Sequence, residues 1–119
     1  MSSDVLTATA ISRHLSEMGR QLDITVGMLR DADLDAVHKR SAADTAESLA
    51  FVDADGSMDL RKHTARLAAS SKEHDALVAE ALVRHMRTKV RALETRIDVG
   101  RSMGAALRAE LNTLPGVPG

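Results

Sequence analysis

The stretch FVDADGSMD, residues 51–59, is the strongest breaker cluster inside the chain, and its reading decides the fold. An Asp-x-Asp-Gly run resembles the opening of a calcium loop, in which glycine holds the sixth position, a carboxylate the first and a bidentate glutamate the twelfth. With Gly56 sixth, Phe51 falls first and Lys62 twelfth. Phenylalanine cannot ligate and lysine repels a cation, so Asp53, Asp55, Gly56 and Ser57 read as a turn. Gly56 supplies the unusual backbone angle, and Asp55 or Ser57 caps the helix that follows.

Both flanks of this corner carry helical periodicity. Before it, Ile11, Leu15, Met18, Leu22, Val26 and Leu29 recur at steps of three and four. The stripe continues through small residues, Ala32, Ala36, Ala43, Ala46 and Ala50, beside Leu34, Val37 and Leu49. Ser2, Ser3 or Asp4 is positioned to cap this arm, and RDADLD at 30–35 is the one place where it is open to interruption. After the corner, a nearly heptad seam runs Ala69, Ala76, Ala79, Val83, Met86, Val90, Leu93, Ile97, Gly100, Gly104, Leu107, Leu111 and Leu114. A helix over 58–113 would measure ~84 Å at 1.5 Å per residue, which in a chain this short requires a partner of similar length.

The first arm is that partner. Folding about residue 55 sets residue i opposite roughly residue 110 minus i. Ala43, Ala46 and Ala50 then face Ala65, Ala68 and Ala69; Met18 and Leu22 meet Leu93, Val90 and Met86; Ala8 and Ala10 come near Gly100 and Gly104. Small against small and large against large is what closely packed helices need. The expectation is an all-α, extended antiparallel helical hairpin, coiled-coil-like, forming one domain over 1–114. Its arms are about 4–52 and 58–113, and a frayed tail at 115–119 holds Pro115 and Pro118.

Composition agrees with a thin seam. Of 119 residues, nineteen are Ala, one is Phe, and there is no Tyr, Trp or Cys. Missing aromatics argue against a base-stacking surface, and missing cysteines exclude disulfides, thiolate metal sites and a cysteine nucleophile. No signal peptide or membrane span is legible, so the expected location is the cytoplasm. The halves differ in charge. Residues 1–56 hold five Lys/Arg against ten Asp/Glu, a balance of −5, while residues 57–119 hold eleven against seven, +4. Acidic and basic arms in one chain attract each other.

A two-helix hairpin buries little surface, so assembly into a larger bundle is expected, with Leu6, Ile24, Leu67, Leu77, Val78, Leu82, Val99 and Met103 as candidates for a second apolar face. Little else in the chain carries chemistry. His63, His74 and His85 repeat every eleven residues, ~16 Å along a helix and too far apart to share an ion. His38 could approach His74 across the hairpin, and His14 has Glu17 and Met18 nearby. No catalytic triad, metalloprotease, phosphate-loop or dinucleotide motif is present, and neither an enzyme, a cofactor nor a metal is expected.

Arg84, Arg87 and Arg91, continued by Arg96 and Arg101, form a basic stripe that could track phosphates, diluted by Glu80, Glu94 and Asp98. Gly100 and Gly104 on the seam each cost about 1 kcal/mol against alanine, which close helix contact or an approaching partner would explain.

RALETRIDVGRSMGAALRAEL, residues 91–111, and FVDADGSMDLRKHTARLA, residues 51–68, resemble segments of small helical proteins of bacterial phages and prophages with the pattern Arg-Ile-Asp/Glu-Val-x-Arg-Ser/Thr. The resemblance covers about a third of the chain. The pattern falls on Arg96, Ile97, Asp98, Val99, Arg101 and Ser102, with Gly100 where the family often has Trp. Genes of that family often lie near phage recombination or strand-annealing functions, so the resemblance implies an accessory role in phage DNA metabolism inside a host cell. Three readings follow: a self-associating assembly module, a nucleic-acid-binding accessory protein using the arginine stripe, and a small inhibitor or adaptor docking on a host protein. Secreted WXG100 hairpins look similar, but their Trp-x-Gly turn is absent.

Overall fold

The computed structural model describes the backbone of residues 2–113 and the side chains of residues 7–113. Two helices, α1 (Ser2–Asp53) and α2 (Met58–Thr113), account for almost all of it, with no strand among the described residues. The chain is an all-α helical hairpin. The expected cap at Ser2, Ser3 or Asp4, the apolar Leu6 and Leu114, and the tail at 115–119 lie outside the described side chains.

α1 runs through residues 30–35 without the interruption that RDADLD left open. No Gly or Pro falls there, the three aspartates are exposed, and Asp35 accepts a hydrogen bond from Lys39 Nζ one turn on, at 3.0 Å.

The corner is built by capping. α1 ends at Asp53, one residue later than expected, and the Ala54 N–H donates to Phe51 O at 3.3 Å. Gly56 has φ +104°, a left-handed conformation that favours glycine, and the tip of Leu60 lies over it. Ser57 rather than Asp55 is the cap: its Oγ accepts the Leu60 N–H at 3.2 Å and its carbonyl accepts the Arg61 N–H at 2.9 Å. Asp59 follows in the first turn, where a carboxylate suits the helix dipole. Arg61 then reaches back, donating to Phe51 O at 3.1 Å and stacking 4.5 Å from the ring centroid. The chain's sole aromatic residue is therefore part of the corner.

The chain divides into two compact units. In the first, Gly27–Arg87, the seam is made of alanine: Ala36, Ala43, Ala65, Ala69, Ala76 and Ala79 are buried, with Val83 and Met86. Ala46 and Ala50 are half-buried, whereas Ala68, expected to face them, is exposed, because it falls one position off the buried series 65, 69, 76, 79. Leu34, Val37 and Leu49 lie outside.

The second unit pairs Met1–Val26 with Thr88–Gly119. Met18, Leu93, Ile97 and Gly104 are buried, and Ile11, Leu15, Leu22, Val90, Gly100, Leu107 and Leu111 half-buried, as the seam pattern required. Val26 is exposed and Thr25 takes the inner position, since the step from Leu22 must be three. Its hydroxyl is satisfied by donating to Gln21 O at 2.7 Å. The register differs from expectation by about one helical turn. Ala8 and Ala10 line clefts beside Gly104 and Gly100, but the side chains reaching those glycines are Ile11, and Leu15 and Met18.

Of the two glycines, Gly100 alone answers a close approach: a Cβ there would lie 2.7 Å from Leu15 Cδ2. At Gly104 it would meet Ile11 Cγ2 and Arg108 Nη1 at an ordinary 3.6 Å. Gly19 and Gly27 have nothing within 4 Å of such a Cβ. Gly19→Ala and Gly27→Ala are each expected to stabilise the fold by about 0.5–1 kcal/mol through helix propensity. Urea denaturation checks this; a lowered midpoint would contradict it.

Candidate functional site: a charged groove in the Gly27–Arg87 unit

The alanine seam is interrupted by charge. Seven-residue spacing would put Lys39 and Lys72 in the seam, but both are exposed, and Arg40 and Glu73 are half-buried in their place. Alanine neighbours leave Arg40 room to cross the seam. Its Nε and Nη2 grip Glu80 in a bidentate pair at 3.0 and 2.8 Å, and Nη1 donates to Glu73 Oε2 at 2.6 Å. Asp44 stands 3.8 Å from the same Nη1.

The pairing moves protonation in the expected directions. The Arg40 guanidinium, hydrogen-bonded to the Glu80 carboxylate, holds Glu80 below the usual carboxylate range, with Arg84 adding a smaller attraction. Arg40 itself is held further above its already high value, by Glu80 first and then Glu73. A carboxyl depressed in the folded state contributes stability above its unfolded pKa and loses it as pH falls through the folded value. Arg40→Met should therefore lower the thermal midpoint more at pH 7 than in acid below the depressed folded-state value of Glu80, where its carboxylate is protonated. An equal loss under both conditions would show that Arg40 acts by packing alone.

Arg40 and Glu80 of this triad line a groove running between the arms. Asp33, Val37, Ser41 and Asp44 of α1 line it opposite Arg84 and Arg87 of α2. Arg87 Nη2 stands 3.8 Å from Asp33 Oδ1. Further along the same side, Asp44 and Glu47 share a groove with Arg66.

The arginine stripe is divided by the structure. Arg84 and Arg87 belong to this unit, and both face acidic side chains of α1. Arg91, Arg96 and Arg101 belong to the other unit, all exposed. There Arg91 and Arg101 flank one side of the buried series 93, 97, 104, while Arg96 lies on the opposite side. Arg101 lines a cleft with Ser12, Gly104 and Arg108.

The candidate second face is not one surface. Ile24, Leu67, Leu77, Val78, Leu82, Val99 and Met103 are all exposed, but in the Gly27–Arg87 unit Leu77 shares the flank of Arg84, Val78 and Leu82 occupy the other flank, and Leu67 points away from the seam. The five histidines are exposed, and no group of three His, Asp or Glu side chains among the described residues is placed to hold a metal ion.

The Arg40 cluster was overlooked in the sequence pattern, because steps of three and four between Ala36 and Ala43 admit Lys39 and Arg40 alike. Among the described residues, no helix is long and apolar enough to cross a membrane. Compared with protein-family models, with curated proteins and with solved structures, the chain matches none of them.

Proposed function

We propose that this chain is a non-enzymatic, phage-type helical assembly module, acting through self-association in the host cytoplasm as an accessory to phage DNA metabolism. The observation that carries the assembly reading is an imbalance of burial. Among the described residues no large side chain is completely buried, while Leu67, Leu77, Val78, Leu82, Val99 and Met103 all stand in solvent. In the Gly27–Arg87 unit they lie on more than one side of α2, apolar surface that the neighbours of a helix in a bundle would cover. The phage part of the reading rests on the resemblance of residues 51–68 and 91–111.

The charge arrangement favours a protein partner over nucleic acid. Arg84 and Arg87 share their groove with Asp33, Asp44 and Glu80, and this lowers the positive potential that phosphates would need. Linkage gives the test: a self-associating protein melts at a temperature that rises with its concentration. A midpoint independent of concentration over a hundredfold range would defeat the proposal. Salt-sensitive DNA binding abolished by Arg87→Glu with Arg91→Glu would replace it with the nucleic-acid reading.

A further inference from the structure

The groove side of the Gly27–Arg87 unit has a charge pattern that is complementary to itself. Along α1 it presents Asp33, Asp44 and Glu47; along α2 it presents Arg66, Arg84 and Arg87. The heights match. Arg87 stands level with Asp33, and Arg66 shares a groove with Asp44 and Glu47. Between these ends, Arg40 hydrogen-bonds both Glu73 and Glu80 at 2.6–3.0 Å, so its donors are engaged within the chain. The outer pairs are loose: Asp33 to Arg87 and Asp44 to Arg40 are both 3.8 Å. Asp33, Asp44 and Arg87 thus keep hydrogen-bonding capacity toward solvent. Among them stand two exposed apolar side chains, Val37 at 61% and Leu77 at 53%, with Ser41, Ser48 and Ser70 small enough to admit another helix.

We infer that this side of the unit docks on the same side of a second copy, through a two-fold axis parallel to the helices, so that α1 of each copy lies on α2 of the other. The inference rests on the self-association reading above and specifies its geometry. Two face-to-face arrangements place a two-fold axis in the interface. An axis across the helices inverts α1 onto α1 and brings Asp33 against Asp44 and Glu47 of the second copy, which is like against like. An axis along the helices keeps the heights. It sets Asp33 against Arg87, and Asp44 and Glu47 against Arg66, with Val37 and Leu77 meeting at the centre. Only the second relieves the charges, and it places the two corners at the same end. The second copy is preferred over a nucleic acid as occupant because each face carries a full acidic row.

The chain has no cysteine, so single cysteines report the geometry cleanly. Ser41 and Leu77 are both exposed on this side and lie near the level of Arg40 and its partners. Mild oxidation of Ser41→Cys mixed with Leu77→Cys should give several times more disulfide-linked dimer than either variant alone. Efficient cross-linking of Ser41→Cys with itself would place α1 on α1 and overturn the inference.

A charge exchange supplies the second arm. Arg84→Glu with Arg87→Glu, and separately Asp33→Arg with Asp44→Arg, should each weaken association at least about tenfold, and mixing the two should restore it. Retained helicity by circular dichroism shows that each variant is folded. If the unmodified protein is a dimer that cross-links only through Val78→Cys on the opposite flank, this face is wrong and self-association stands. A monomeric unmodified protein defeats both.

Discussion

Leu93→Ala is expected to lower the unfolding free energy by about 2–5 kcal/mol. Leu93 is 4% exposed and is among the few large side chains that the Met1–Val26 and Thr88–Gly119 pairing buries. Truncation removes its transfer free energy and leaves a void. A seam between two helices has no further layer to close over that void, although its edges lie near solvent and water can enter from them. The loss should therefore fall in the lower half of the range. Leu34→Ala, at a side chain 60% exposed, is the control and should change stability by less than about 0.5 kcal/mol. Urea midpoints measured side by side check both, and equal effects at the two positions would mean that the seam does not run through Leu93.

Ala76→Leu tests the other unit by the opposite change. Ala76 has 0% exposure, within a seam that also buries Ala36, Ala43, Ala65, Ala69 and Ala79. Alanine on both arms allows the backbones to approach closely, and a leucine there has no void to enter. Overpacking costs about 1–3 kcal/mol and forces the arms apart. Separation would also strain the bidentate grip of Arg40 on Glu80, which depends on the same close approach. Ala68→Leu makes the identical chemical change at an exposed position and should be close to neutral. Destabilisation at Ala68 and tolerance at Ala76 would reverse the assignment of the buried face.

The contrast between these two alanines shows what periodicity conveys and what it does not. Two helices, their corner and the inward series of α2 follow from spacing alone, because a buried stripe must recur every three or four residues. Residue chemistry misled at Thr25, where valine is the more apolar neighbour but helix phase puts threonine inside. Register is a weaker inference. A pivot at residue 55 treats the corner as symmetric, whereas Gly56 and the Ser57 cap give the corner its own geometry, and the arms meet about one turn away from that estimate.

The arginines of the candidate site were legible as charge. Their partners were not, since Glu73, Glu80 and Asp33 become partners only once the arms are aligned. The division of the stripe, with Arg96 on the far side from Arg91 and Arg101, likewise depends on knowing which face of α2 is buried. At the glycines, sequence gave one answer for two positions. At Gly100 the tip of Leu15 lies where a Cβ would go and would have to shift for one, while Gly104 has room for a methyl group.

Self-association is the claim on which the functional account turns, and sedimentation equilibrium measures it directly. Fitted across micromolar concentrations in near-physiological salt, the mass should approach twice the 12.7 kDa of one chain, or a higher even multiple, and fall toward 12.7 kDa on dilution. A folded, helical protein that stays at 12.7 kDa at every concentration would contradict the account.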